Sequence, residues 1–147
     1  MNYMILILLA IVGLAGCATA EYGNFTNHTP QALNATLVID TVKQLESLYS
    51  AASAQINIGQ AIVKTDLFGT GLITTLRKHG YAVQEYRQKP ISDKCVTLQY
   101  LLDVPTTAEQ TLYRVKIRVG GNTLTRAYVA HNDTVIPAGS WARREDQ

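Results

Sequence analysis

Cysteine is almost absent: Cys17 and Cys95 are the only two in 147 residues, with no CxxC pair and no cysteine–histidine cluster. That excludes a disulfide framework and leaves no metal-ligand spacing. Histidine is nearly as scarce. His28, His79 and His131 fall in an expected tether, a helix end and a turn, so no two are placed as base and orienter. The sequence lacks G-x-S-x-G, the G-x-x-x-x-G-K-[ST] phosphate loop and H-E-x-x-H. Gly69-Thr70-Gly71 has neither the preceding strand nor the final glycine of a dinucleotide fingerprint, and reads as a close helix contact. Charge is sparse as well. Thirteen basic and 11 acidic residues leave a net +2, too weak and dispersed for a nucleic-acid surface. No catalytic residue, cofactor or metal follows from this pattern, and an enzyme is not expected.

Long apolar runs are missing too. The one uninterrupted stretch, Met4 to Ala15, is too short for a spanning helix, which needs about 20 residues. It suits the h-region of a secretory signal, roughly 7–15 residues long. The run ends at Leu14-Ala15-Gly16-Cys17 instead of an A-x-A site. That tetrapeptide matches the lipobox of bacterial lipoproteins, in which the thiol takes a diacylglyceryl group and cleavage frees an amine for a third chain. Each buried CH₂ contributes about 0.8 kcal/mol, so two or three chains anchor stably where one does not. Met1, Asn2 and Tyr3 supply no Lys or Arg to the n-region, which departs from the usual leader. Ala18 stands where Asp would signal inner-membrane retention, so the outer membrane is the expected destination. Asn24, Asn27, Asn34 and Asn132 each begin an N-x-Thr sequon. Beside a lipobox, these read as the product of a Thr- and Asn-rich composition.

The chain therefore divides into a signal peptide (1–16), a lipidated cysteine and tether (17–28) and one domain (29–147). Within the tether, Tyr22-Gly23-Asn24-Phe25 is more structured than a plain spacer and is able to dock. About 130 mature residues suffice for one domain. Cys95 then remains as a lone thiol, either a small buried hydrophobe or half of an intermolecular disulfide.

Thr29-Pro30 predicts a helix start, with Thr as N-cap and Pro at the first helical position. Val38, Val42, Leu45 and Tyr49 continue it at helical spacing. Gln55 to Ile58 alternates like a short strand. Thr65 and Asp66 open a second helix with the face Phe68, Leu72, Ile73 and Leu76. Arg77, Lys78 and His79 favour its C-terminus, and Gly80 ends it. Beyond Gly80 the period becomes 2: strands are predicted over Tyr81–Tyr86, Val96–Leu102, Tyr113–Val119, Leu124–Ala130 and Val135–Ile136. Gly120-Gly121-Asn122 marks a hairpin. The expected class is α+β, with two amphipathic helices packed on one face of a mainly antiparallel sheet.

Arg114, Lys116 and Arg118 share one strand face, continued by Thr123 and Thr125. That face suits an acidic partner or lipid headgroups, or is simply the solvated side of a one-sided sheet. Arg126 is placed among core residues and needs a partner, with Glu85 and Asp103 as candidates. Trp141, beside Arg143 and Arg144, serves either as a partner anchor or as a cap on the core.

Several stretches, in one order across nearly the whole mature chain, resemble the TrbH family of conjugal-transfer lipoproteins. They are Tyr22-Gly23-Asn24-Phe25, Gln44-Leu45…Leu48-Tyr49, Phe68-Gly69…Leu76-Arg77…Gly80-Tyr81-Ala82-Val83…Glu85-Tyr86, Leu112-Tyr113-Arg114, Arg126-Ala127-Tyr128 and Pro137-Ala138-Gly139-Ser140-Trp141. The resemblance implies an envelope component of a type IV secretion system, partnered with other conjugation-channel proteins and carrying no catalytic residues. Cys17 would anchor it, and Arg114, Lys116, Arg118 and Trp141 would contact channel subunits, without direct contact to nucleic acid. The competing expectation is a stand-alone periplasmic lipoprotein that binds a cell-wall fragment or another small ligand.

Overall fold

A computed structural model describes residues 21–26, 29–86, 92, 94–105 and 111–146. The expected signal sequence, Cys17, Asn27, His28 and residues 87–91, 93 and 106–110 lie outside the described residues.

Two helices, α1 (Gln31–Leu48) and α2 (Leu67–Lys78), pack on an eight-stranded sheet. The strands are β1 (Gly23–Asn24), β2 (Gln55–Ile58), β3 (Ala82–Gln84), β4 (Cys95–Asp103), β5 (Leu112–Val119), β6 (Asn122–His131), β7 (Thr134–Pro137) and β8 (Ala142–Glu145). The central order is β3-β2-β4-β5-β6-β7. Two short strands complete the edges: β1 pairs with β4 at Leu101 and Leu102, and β8 pairs with β6 at Asn122 to Thr125.

The expected α+β class holds, and the sheet is mainly antiparallel from β4 onward. Its other half differs from a simple meander. β1, β2 and β3 all run in the direction of β4, because β2 is parallel to both β3 and β4 and β1 is parallel to β4. A helix between consecutive strands carries the chain back to its starting end, so the next strand runs the same way. α1 makes that crossover between β1 and β2, and α2 makes it between β2 and β3.

Local signals explain most boundaries. Asp66 caps α2, its carboxylate accepting the Gly69 N–H at 3.0 Å, and Gly80 follows at φ +89°. His79 pairs with Glu46 of α1 at 2.7 Å. At α1 the predicted cap moves by one residue. Pro30 occupies the N-cap position without a side-chain cap, since the Thr29 hydroxyl is engaged with that of Thr26. Asn34 reaches back instead, donating to the Thr29 and Pro30 carbonyls at 3.2 Å. The predicted strand over Tyr81–Tyr86 shortens to Ala82–Gln84, and Tyr81 is buried with its hydroxyl on the Tyr49 carbonyl. Register Val119↔Asn122 leaves Gly120-Gly121 as a two-residue loop, and φ values of +50° and +28° fit the twist of a type I′ hairpin.

The core lies between helices and sheet. Leu37, Leu45, Phe68, Leu72 and Leu76 from the helices meet Ile56, Leu98, Leu102, Val115 and Ile117 from the strands, all fully buried. Each such side chain contributes about 1.5–3 kcal/mol on leaving water. Cys95 is buried, as a small hydrophobe would be. The Gly69-Thr70-Gly71 step permits this packing. A Cβ on Gly69 would collide with the Tyr100 hydroxyl, Ile62 and the Asp66 carboxylate, whereas one on Gly71 meets only Val38 of α1, at 3.3 Å. Gly69→Ala is expected to lower stability by about 1–3 kcal/mol, as overpacking of a tight interior does. Gly71→Ala, measured by the same urea titration, should cost clearly less.

Candidate interaction surfaces

Strand alternation sends Val115, Ile117 and Val119 of β5 inward and Arg114, Lys116 and Arg118 onto the sheet face opposite the helices. The expected basic row is therefore real, and Thr125 and Thr123 lie directly across from Lys116 and Arg118. β8 extends the row with Arg144, which is paired in register with Thr123.

Carboxylates balance part of this charge. Arg114 donates Nε to Asp103 at 3.0 Å, and that hydrogen bond, with the attraction of the charge, raises its pKa above the ordinary arginine value. Asp146 accepts the Thr123 hydroxyl at 2.9 Å and lies 3.3 Å from Arg118 and 3.5 Å from Arg144. The Thr123 hydrogen bond, then the two guanidinium groups, hold Asp146 below the usual carboxylate range. Lys116 forms no ion pair with a described carboxylate. Its ammonium sits 6.0 Å from the Tyr22 ring centroid, within cation–π range, and Tyr22 also interacts with Arg118, raising its pKa. Lys116, Thr123, Thr125, Ala142, Arg143 and Arg144 enclose a shallow depression of about 180 Å³.

The other predicted site residues have internal partners. Arg126 does face the helix side, as a two-residue hairpin loop requires, but neither Glu85 nor Asp103 reaches it. Those carboxylates pair with Arg77 and Arg114. Arg126 instead meets Asp40 of α1, its Nη1 donating at 2.8 and 3.0 Å, while its Nε donates to the Gly139 carbonyl at 2.8 Å. α1 passes over the β6–β7 end of the sheet, so the helix supplies the counter-charge that distant strands cannot. Asp40 also accepts the Tyr128 hydroxyl at 2.6 Å and the Trp141 indole N–H at 3.2 Å. Trp141 is half-buried and packs against the rim of the core, edge-on to Tyr128 with centroids 6.5 Å apart.

A matching cluster sits at the start of α2. Asp66 accepts the Tyr100 hydroxyl, the Gly69 N–H and the Asn24 amide, the last at 2.8 Å. The Phe25 N–H bonds the Leu102 carbonyl at 2.8 Å, so Gly23 to Phe25 is laid along β4. Among the sequons, Asn34 belongs to α1 and is buried. A groove of about 360 Å³ runs between the helices, lined in part by Asn34, Val38, Ile39, Leu67 and Gly71.

The sequence marks Asp66 as a helix opener and Tyr22 as part of a stretch able to dock, but carries no direct signal for Asp40. For Asp40 an indirect one existed, since it is the lone acid between Val38-Ile39 and Thr41-Val42 on a mostly apolar helix.

Among the described residues no helix is long and apolar enough to cross a membrane, and no three His, Cys, Asp or Glu side chains gather as a metal site. The architecture is that of a small α+β domain, one sheet face packed under two helices and the other open and basic. The sequence matches the family described as "Conjugal transfer protein TrbH" over residues 19–145, and the chain belongs to that family. No curated protein and no solved structure matches it. The chain is thus a conjugal-transfer protein, whose membership extends across both Asp-centred clusters and the basic face.

Asp40→Ala is expected to destabilise the fold by about 2–4 kcal/mol, because it strands a half-buried guanidinium and two further donors. Tyr128→Phe, which removes a single hydrogen bond to a carboxylate, should cost about 1.5–2 kcal/mol in the same urea series. Burial first, then the hydrogen bond to Asp40 or Asp66, raises the pKa of Tyr128 and Tyr100. A raised folded-state pKa means that their stabilising contribution is complete below the ordinary tyrosine value of 10.0 and is lost as pH rises beyond it. Absorbance titration of tyrosinate should therefore show these two silent above pH 10 until the protein unfolds.

Proposed function

We propose that the protein is a lipoprotein of the outer membrane, anchored through Cys17, with a structural and assembly role in the type IV secretion channel of conjugation. Membership of the TrbH family carries the functional half of this reading. Leu14-Ala15-Gly16-Cys17 supports the anchor. Cleavage before Cys17 and acylation of its thiol and new amine would leave the domain on a short leash at the periplasmic face. Confinement there raises its effective concentration near other envelope proteins without any added contact. Channel subunits are the expected partners, and the open basic face is the surface available to them or to the membrane.

A second reading, a stand-alone binder of a cell-wall or other small ligand, has the groove between α1 and α2 in its favour. Copurification from envelopes separates the two. Channel proteins retained with the anchored chain support assembly, whereas elution alone with a bound small molecule supports the binder.

Intact-mass analysis of the mature N-terminus is expected to begin at Cys17 and carry two or three acyl chains. Cys17→Ala should release the domain from the outer-membrane fraction or leave its leader attached, and lower plasmid transfer by about tenfold or more. Full transfer with a soluble variant would overturn the anchored role.

A further inference from the structure

We infer that the open face of the sheet is a membrane-facing surface, on which Lys116, Arg118 and Arg144 meet anionic phospholipid headgroups. The inference rests on the anchor at Cys17 and adds an orientation to it.

The argument begins where the described chain starts. Gly23 and Asn24 pair with Leu101 and Leu102 on β4, the Asn24 side chain turning to Asp66 on the helix side. Tyr22 goes the other way. Its ring lies 6.0 Å from the Lys116 ammonium and its side chain interacts with Arg118, both residues of the open face. The described chain therefore begins with a side chain laid on the open face, not beside the helices.

Tyr22 follows Cys17 by five positions, a span of five peptide units. Fully extended they reach about 18 Å, and relaxed they average about 12 Å. That is close to one Debye length, about 8–10 Å at ordinary ionic strength, so charges on the exit face act on the lipid surface with little screening. Charges beyond the helices would stand further off by the thickness of the domain.

The exit face carries the right sign. Among the described ion pairs, Arg114 meets Asp103, and Arg118 and Arg144 share Asp146, so these four cations and two carboxylates leave two positive charges, with Lys116 paired to no described carboxylate. Arg144 keeps its side chain 75% exposed. The depression of about 180 Å³ beside Lys116 and Arg144, with the Thr125 side chain on its wall, offers cations and a hydroxyl to a phosphate group. An unanchored one-sided sheet would show the same cations as a solvated face. A leash that emerges among them is what distinguishes this one.

The test uses the mature lipoprotein purified from membranes and reconstituted in vesicles, either phosphatidylglycerol with phosphatidylcholine or phosphatidylcholine alone. A fluorophore is placed at Thr125→Cys on the open face or at Lys43→Cys on the outer side of α1, and quenched by headgroup spin-labelled lipid. On anionic vesicles the open-face position should be quenched several-fold more than the helix position. Each cation at an anionic surface shifts the occupancy of the docked state by about fivefold. Lys116→Glu with Arg144→Glu, or about 1 M salt on the unaltered chain, should therefore remove most of the difference. The salt arm keeps the result interpretable if the double variant folds poorly. Equal quenching at both positions, or the same difference on neutral vesicles, overturns the orientation while leaving the anchor intact. Loss of the protein from neutral vesicles in high salt overturns the anchor itself, and this inference with it.

Discussion

Each helix is tied to the sheet by one carboxylate that accepts a buried tyrosine hydroxyl, and most of the fold's specificity depends on that pair of contacts. Asp40 of α1 takes Tyr128 from β6, and Asp66 at the start of α2 takes Tyr100 from β4. The apolar core alone would hold the helices on the sheet, since greasy surfaces pack in many registers at similar free energy. A tyrosine whose ring is buried and whose hydroxyl has one acceptor tolerates a single placement. Moving either helix by a turn would leave a phenol and a carboxylate unsatisfied in the interior, at a cost of about 1–3 kcal/mol per group.

The two carboxylates also reach beyond the helices. Asp40 gathers Arg126 and Trp141, so the segment after β7 is fastened by the same group that seats α1. Asp66 gathers Asn24, so the stretch preceding α1 is fastened by the group that caps α2. Both ends of the described chain are thus held by side chains whose first duty is helix placement. For the N-terminal end this has a mechanical consequence. On the proposed anchor, a pull from the membrane would be received by a strand hydrogen-bonded to β4 and by an amide on Asp66, instead of fraying the start of α1.

Periodicity made the elements legible. The apolar faces of both helices, the alternation of β5, the Gly120-Gly121 hairpin and the resulting inward placement of Arg126 all follow from local spacing. Partnership was another matter. Arg126 lies 86 positions from Asp40 in sequence, and no local rule connects a strand residue to a helix that crosses above it. The parallel direction of β2 and β3 was equally hidden, because pattern reports that a strand exists and not which way its neighbours run. The docked Tyr22–Phe25 stretch is short, and two paired residues carry too little alternation to announce a strand.

Geometry also bears on how such a domain can serve a channel. On the proposed orientation the basic face is the one nearest the lipid, and α1 and α2 are turned away from it. The surface offered to soluble or channel-borne partners is then the helical layer with its groove, where Ile39 stays 63% exposed and Leu67 44% exposed. Held that way by the proposed anchor, an apolar rim would meet partners in two dimensions with its orientation already fixed, so less rotational freedom would remain to be lost on association. A weak contact made there can persist in a membrane-bound assembly and be undetectable between the same proteins in free solution. Division of labour between the faces follows from one fact of connectivity: the strand that begins the domain lies beside β4, and the residue before it turns away from the helices.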